Sequence, residues 1–259
     1  YMYKRFVISF IVLVVYLAII MGGAKLEVGD GTMGQGEMIS RRVSTSLVVG
    51  MVFLFAMVGI FGWWRDSGLR PIRSAKSLLI LWFPALLILG FFAVSLLLGL
   101  PPLQAFIFVG INTLMVGISE ELAFRGIFFS GARSVMRPWP AIAITSVIFG
   151  AVHVLNGITT GDWAAATTQA IAAAMSGVLF IAILIRTGSV IPAMIVHWLW
   201  DFGIFTISTR HGQAAAPVEP TEPGLFLLLA PVLFVLPNFL VGLWFIRGVG
   251  EKSSEELLD

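Results

Sequence analysis

The sequence contains no cysteine. Disulfides, thiolate zinc sites and cysteine nucleophiles are thereby excluded together. Charge is scarce as well. Asp, Glu, Lys and Arg make up 12% of the 259 residues, while 58% are hydrophobic. A soluble domain carries about twice that charge. No segment alternates polar and apolar residues as a membrane β-barrel strand must, and no fixed-period repeat or extended low-complexity tract occurs. Three catalytic signatures are also missing: the HExxH helix of zincins, the G-x-S-x-G elbow of serine nucleophiles and the GxGD motif of intramembrane aspartyl proteases. Ser119 in GISE and Ser176 in MSG stand outside any such elbow.

What is present is long apolar runs. A helix needs about 20 apolar residues to cross a bilayer, and about eight segments qualify. They are Phe6–Gly22, Thr45–Trp64, Leu78–Leu100, Leu103–Phe129, Trp139–Leu155, Ala166–Ile185, Val190–Ile207 and Leu225–Ile246. The expected fold is all-α, a polytopic transmembrane helical bundle of about eight spans. The spans leave no room for a second soluble unit, so residues 1–259 read as a single membrane-embedded domain with a motif-bearing core at 111–207.

Lys and Arg in short loops set orientation. With the N-terminus inside and eight spans, the inner side collects Lys4, Arg5, Arg65, Arg70, Arg73, Lys76, Arg133, Arg137, Arg186, Arg247 and Lys252. The outer side collects Lys25, Arg41, Arg42 and Arg210, and Arg125 remains within a span. The bias predicts both termini in the cytoplasm and an even span count; the expected location is the plasma membrane of a prokaryote, as a multi-pass integral protein. The first segment reads as an anchor, since no small-x-small cleavage site follows it convincingly. The formal charge of +2 reflects the basic inner loops. It reads as topology and contact with anionic lipid, with no nucleic acid as partner.

Residues Gly23 to Ser44 read as a Gly-rich outer loop, Arg65 to Ser77 as a basic inner loop, and Asn156 to Asp162 as a small polar loop. Ala214 to Gly224 reads as an exposed linker, and Glu251 to Asp259 as an acidic, frayed tail. Small residues crowd the sixth span at Ala170, Ala172, Ala173, Ala174, Ser176 and Gly177. Such residues let helix backbones approach closely in lipid, which predicts a central position in the bundle.

The ionisable groups of the apolar core gather in three short patterns: EELAFR at Glu120–Arg125, FGAVH at Phe149–His153, and HWLWD at His197–Asp201. A charge at mid-bilayer costs about 2.5–3.5 kcal/mol on insertion scales. The cost is relieved if these groups meet one another around water or a substrate. Glu120 and Glu121 point about 100° apart on a helix. Arg125 follows Glu121 by four residues, the spacing at which the two side chains meet. That pairing leaves Glu120 facing a cavity, where a desolvated carboxylate can act as a base near neutrality. Phe149 and His153 share a helix face, with Phe149 shaping the wall beside the imidazole. His197 and Asp201 share another face, and Asp201 can accept a proton from His197 and fix its tautomer. A glutamate and a histidine suffice to hold and deprotonate a water, and a second histidine can donate to an oxyanion.

The order EExxxR, FxxxH, HxxxN/D on separate transmembrane helices resembles the CPBP (Abi) family of intramembrane proteases. That family includes the type II CAAX prenyl endopeptidases of Rce1 type and bacteriocin-processing or immunity-related proteins. The resemblance implies an eight-span helical bundle and a glutamate-dependent endopeptidase. It maps the water-activating pair onto Glu120 and His153, and the oxyanion side onto His197 and Asp201. Glu121, Arg125 and Phe149 are supporting residues. The prenyl-processing members carry asparagine where Asp201 stands. An aspartate has no amide donor, so orienting His197 is its safer role.

A metal-dependent alternative would use Glu120, His153 and His197 as zinc ligands at an open site. The metal-free route, with no cofactor, is the preferred expectation. The expected partners are the lipid bilayer and a membrane-associated protein or peptide substrate, of CAAX type or of bacteriocin or leader type. A non-catalytic immunity or scaffold protein is the rival class, and a transporter or proton relay is the third.

Overall fold

The computed structural model describes residues 2–210 and 225–249. The expected linker at Ala214–Gly224 and the tail at Glu251–Asp259 lie outside the described residues. Among the described residues every regular element is helical. The elements are α1 (Met2–Val28), α2 (Gln35–Arg41), α3 (Thr45–Phe61), a 3₁₀ stretch (Ala75–Leu81) leading into α4 (Trp82–Leu98), and α5 (Leu103–Glu121). A π-helical stretch (Leu122–Phe129) and α6 (Ser130–Arg133) continue α5, followed by α7 (Pro138–His153) and α8 (Asn156–Thr160). The chain then forms α9 (Trp163–Thr187), α10 (Ile191–Ser208) and α11 (Leu225–Ile246).

Among the described residues seven helical stretches are long and apolar enough to cross a membrane. The eighth expected span is α3, joined to α2 through an 83° bend. The outer loop read at Gly23–Ser44 is therefore largely helical: α1 runs on to Val28, and α2 folds back against the bundle. The bend is held from α5. Asn112 donates from Nδ2 to the carbonyls of Ile39 and Arg42, at 2.7 Å each. Its Oδ1 accepts from the Ser44 amide at 2.9 Å. A buried amide side chain thus satisfies three backbone groups that the bend leaves unpaired.

The breaks between spans follow local chemistry. Gly62 and Gly188 end α3 and α9 with φ of 67° and 71°, the left-handed conformation a helix C-terminus favours in glycine. Asp162 caps α9 by accepting from the Ala165 amide at 2.8 Å. Pro138 opens α7, where its missing N–H costs little.

α9 is the central helix. It packs against α7 on one side and α11 on the other, and its span window is more buried than that of any other described span. The small residues noted in its sequence provide the close approach, as expected. The two ends of the bundle differ in chemistry. At one end Arg5 pairs with Asp66 at 2.5 Å, Arg70 donates to the Gly188 carbonyl at 2.7 Å, and Arg186 donates to the Phe245 carbonyl at 2.5 Å. A cavity of about 340 Å³ lies there among Lys76, Arg186, Trp244 and Arg247. At the other end the Met33 amide donates to Thr159 O at 2.8 Å, and Gln169 joins Gln35 and Asn156.

Candidate active site

The three motifs arrive on three helices that the fold holds at close range. Gly117 of α5 lies against the backbone of α10. A Cβ built there would stand 2.8 Å from Met194 O and 2.9 Å from Trp198 N. Only glycine permits that approach, and it brings the end of α5 beside the start of the HWLWD segment. Gly150 does the same for α7 against α9, where a Cβ would meet Ala170 O at 2.5 Å. Close helix packing through small residues thus sets the spacing of the site.

Glu121 is the buried hub, with its side chain fully enclosed. Its Oε1 accepts from Arg125 Nη1 at 3.0 Å and from His197 Nδ1 at 2.8 Å. The Glu121–Arg125 pair is therefore present as expected, and it has a third member. His197 Nδ1 donates to Glu121, so Asp201 does not hold that nitrogen. Asp201 Oδ2 instead faces Nε2 at 3.5 Å, and Glu120 Oε2 faces the same nitrogen at 3.9 Å. The tautomer assignment shifts accordingly: Glu121 orients the ring, while Asp201 and Glu120 flank its working nitrogen. Helix spacing alone placed Asp201 on the right face but could not show that α5 reaches the other ring nitrogen.

His153 closes α7. Its Nδ1 lies 2.7 Å from the Phe149 carbonyl, one turn back. A carbonyl can only accept, so Nδ1 carries the proton and Nε2 is left as an acceptor. Glu120 is within electrostatic reach of His153, His197, Asp201 and Glu121. Its Oε2 is buried and accepts no hydrogen bond among the described residues. The four expected catalytic residues thus come together around one carboxylate.

Aromatic rings enclose the cluster. Phe149 stands edge-on to His153 at 4.9 Å between centroids and edge-on to His197 at 6.1 Å. The Arg125 guanidinium lies 3.9 Å from the Phe149 centroid and 5.0 Å from that of Phe180. Phe149 therefore carries a cation–π contact besides lining the wall.

Three contributors escaped the sequence reading. Phe180 of α9 stacks on His197 at 4.9 Å with an interplanar angle of 15°. Tyr16 comes from the first span, which read only as apolar. It is buried, and its hydroxyl bonds the Ser119 hydroxyl at 3.0 Å, beside Glu120. The third is the π-helical stretch itself, where the sequence suggested a continuous α-helix from Leu103 to Phe129. Every residue of Leu122–Phe129 is buried. Such wide turns are rare and recur at functional sites. The one signal for Tyr16 was that it is a polar-tipped residue in mid-span, and nothing marked its partner.

Among the described residues no three His, Asp or Glu side chains are grouped so as to hold a metal ion. The two ring nitrogens that face backbone or Glu121 are both donors, which leaves one nitrogen on each histidine for other partners.

Fold and site together define a polytopic helical membrane protein with a buried glutamate–histidine centre. Residues 102–203, which carry all three motifs, match the model of the family described as type II CAAX prenyl endopeptidase Rce1-like. The matched segment runs from the start of α5 into α10 and supports the resemblance read from the motifs. No curated protein and no solved structure matches the chain.

Proposed function

We propose that the protein is a membrane endopeptidase that hydrolyses a peptide bond with water activated by Glu120. The observation that carries this reading is the placement of Glu120 Oε2 opposite His197 Nε2, 3.9 Å apart, with the histidine ring held from behind by Glu121 at 2.8 Å. A carboxylate that lacks a protein donor and faces an anchored imidazole is arranged for proton transfer. The family match over residues 102–203 supports the same reaction class.

In the proposed reaction, a water lies between Glu120 and His153 Nε2. Glu120 takes one proton as the water oxygen attacks the peptide carbonyl carbon. The carbonyl π electrons move to oxygen, and the resulting oxyanion is stabilised by His197 as an imidazolium, whose Nδ1–H is held by Glu121 and whose Nε2–H faces Asp201 in the resting state and the oxyanion in the intermediate. When the intermediate collapses, the C–N bond breaks and Glu120 returns its proton to the leaving nitrogen. The products are a carboxylic acid and an amine, and the enzyme is regenerated. Oxyanion donors of this kind are worth about 10²–10³ in rate. Glu121, Arg125 and Phe180 act through His197 by fixing its ring.

The metal-free form is part of the proposal. It is tested on purified protein with a peptide library derived from membrane-anchored proteins, read by mass spectrometry. Cleavage should persist after exhaustive chelation confirmed by elemental analysis, and Glu120→Gln should abolish it at similar yield. Loss on chelation with rescue by zinc alone would reassign Glu120, His153 and His197 as ligands. Equal cleavage by Glu120→Gln would remove Glu120 as the base and with it the proposed mechanism.

A further inference from the structure

We infer that the site opens on the extracytoplasmic side of the membrane, so that the substrate is an extended polypeptide segment at the outer leaflet. The substrate class rests on the peptidase reading above, whereas the direction of opening rests on packing and charge alone.

In the turns next to the site, burial changes in the same direction on all four surrounding helices; farther along, Val109, Asn112 and Thr113 of α5, beneath α2, and Thr206 of α10 are buried again. On α5, Val116 and Glu120 are partly exposed, and every residue from Glu121 to Phe129 is buried. On α9, Gln169 and Ala173 are partly exposed, and every residue from Gly177 to Ile183 is buried. On α7, Phe149 is buried, and His153 at its far end is partly exposed. On α10, His197 is buried, and Asp201 and Phe205 are partly exposed. α5 and α9 run antiparallel to α7 and α10, yet the four gradients agree. The layer directly behind the site is closed toward the end that holds Arg5, Asp66, Arg70 and Arg186, and the cavity at that end is lined by Lys76, Arg186, Trp244 and Arg247 and by none of the site residues. The packing next to the site loosens toward the end that holds α2 and α8.

That open end has the chemistry of a peptide mouth. Gln35 of α2, Asn156 of α8 and Gln169 of α9 form one amide cluster across three elements, with contacts of 3.4 and 2.9 Å. Amide side chains offer both donors and acceptors, which an extended backbone requires. α2 lies across this side, tied to Asn112, eight residues before Glu120. At 1.5 Å per residue that is about 12 Å above the proposed base. The helix therefore sits where a segment dipping toward Glu120 must pass.

Charge then orients the two ends. The closed end carries Lys4, Arg5, Arg65, Arg70, Arg73 and Lys76 among its cations. The open end carries Lys25, Arg41, Arg42 and Arg210. Two of these four lie beside carboxylates: Arg41 pairs with Glu37, and Arg42 stands 3.8 Å from Glu27. The excess of Lys and Arg marks the cytoplasmic face, so the mouth faces away from it. A tail presented from the cytoplasm would have to pass the packed layer of Leu122–Phe129 and Gly177–Ile183.

The cysteine-free sequence makes the test direct. Single substitutions Gly31→Cys at the open end, Ala75→Cys at the basic end and Ala173→Cys inside the mouth are labelled with a membrane-impermeant maleimide, in intact cells and after lysis. Ala173 lies one helical turn beyond Gln169 on the same face. Gly31→Cys and Ala173→Cys should label in intact cells, and Ala75→Cys only after lysis. Labelling of Ala75→Cys in intact cells, or of Ala173→Cys only after lysis or not at all, would overturn the inference. Repeating the labelling in Glu120→Gln protein separates access from catalysis. If cleavage occurs but every cut maps to a cytoplasmic tail, the inference fails and the peptidase reading stands. If labelling is as expected and no cleavage occurs, the peptidase reading fails and the direction of opening stands.

Discussion

Replacing Arg125 with methionine tests the buried brace behind the site. The guanidinium is fully enclosed, with Nη1 on Glu121 at 3.0 Å and its face over Phe149 at 3.9 Å. Removing one partner of a buried pair typically costs about 3–5 kcal/mol, because a charge is left uncompensated. The cation–π contact adds about 2 kcal/mol when desolvated, of which a methionine–aromatic contact restores roughly 0.3–1.5 kcal/mol. His197 Nδ1 still donates to Glu121 in the variant, which softens the loss of the ion pair. The expected net cost is about 3–4 kcal/mol. Glu121→Gln strands the guanidinium instead and should cost a similar amount. In the double variant neither charge is left alone, so its cost should fall below the sum of the singles by about 2–3 kcal/mol. Reversible unfolding in mixed micelles, followed by ellipticity, measures all three. Arg125→Met within about 1 kcal/mol of wild type, or a strictly additive double variant, would refute the brace.

Other consequences are equally direct. Tyr16→Phe removes one buried hydrogen bond, worth about 1 kcal/mol; the fold should persist, and turnover should fall with substrate affinity unchanged, as read by steady-state kinetics. Gly117→Val places side-chain atoms where Met194 O and Trp198 N stand, so it should cost about 1–3 kcal/mol or more and abolish cleavage, as unfolding and activity assays will show. Asn112→Ala frees two carbonyls and one amide at the α2–α3 bend and should raise protease sensitivity at residues 35–45 without unfolding the core.

The spans were legible because length and apolarity are local properties of the sequence. All eight segments fall on helices, and only α3 falls short of a full crossing by itself. The site was legible because ionisable groups in lipid are costly, so EELAFR, FGAVH and HWLWD stood out before any geometry was known. What the sequence did not reveal depends on packing between helices. Glu121 bonds His197 across 76 positions, and Tyr16 reaches Ser119 across 103. Neither spacing leaves a periodic signal. Phe180 looked like any core aromatic until it was found stacked on His197. The π-helical stretch was hidden for a different reason: LAFRGIFF is a continuous apolar run around Arg125, and no local pattern separates widened turns from an ordinary α-helix. The α2 helix was masked by glycines at Gly34 and Gly36 that read as loop. Its geometry is held by Asn112 from another helix, a contact that no local pattern encodes.

The central claim is that Glu120 performs hydrolysis in the membrane. It is tested most directly by comparing newly formed protein N-termini in membranes that contain wild-type protein with those in membranes that contain Glu120→Gln at equal abundance. The account predicts a set of termini in membrane-anchored proteins that appears with wild type and vanishes with Glu120→Gln. Identical sets from the two proteins would contradict it.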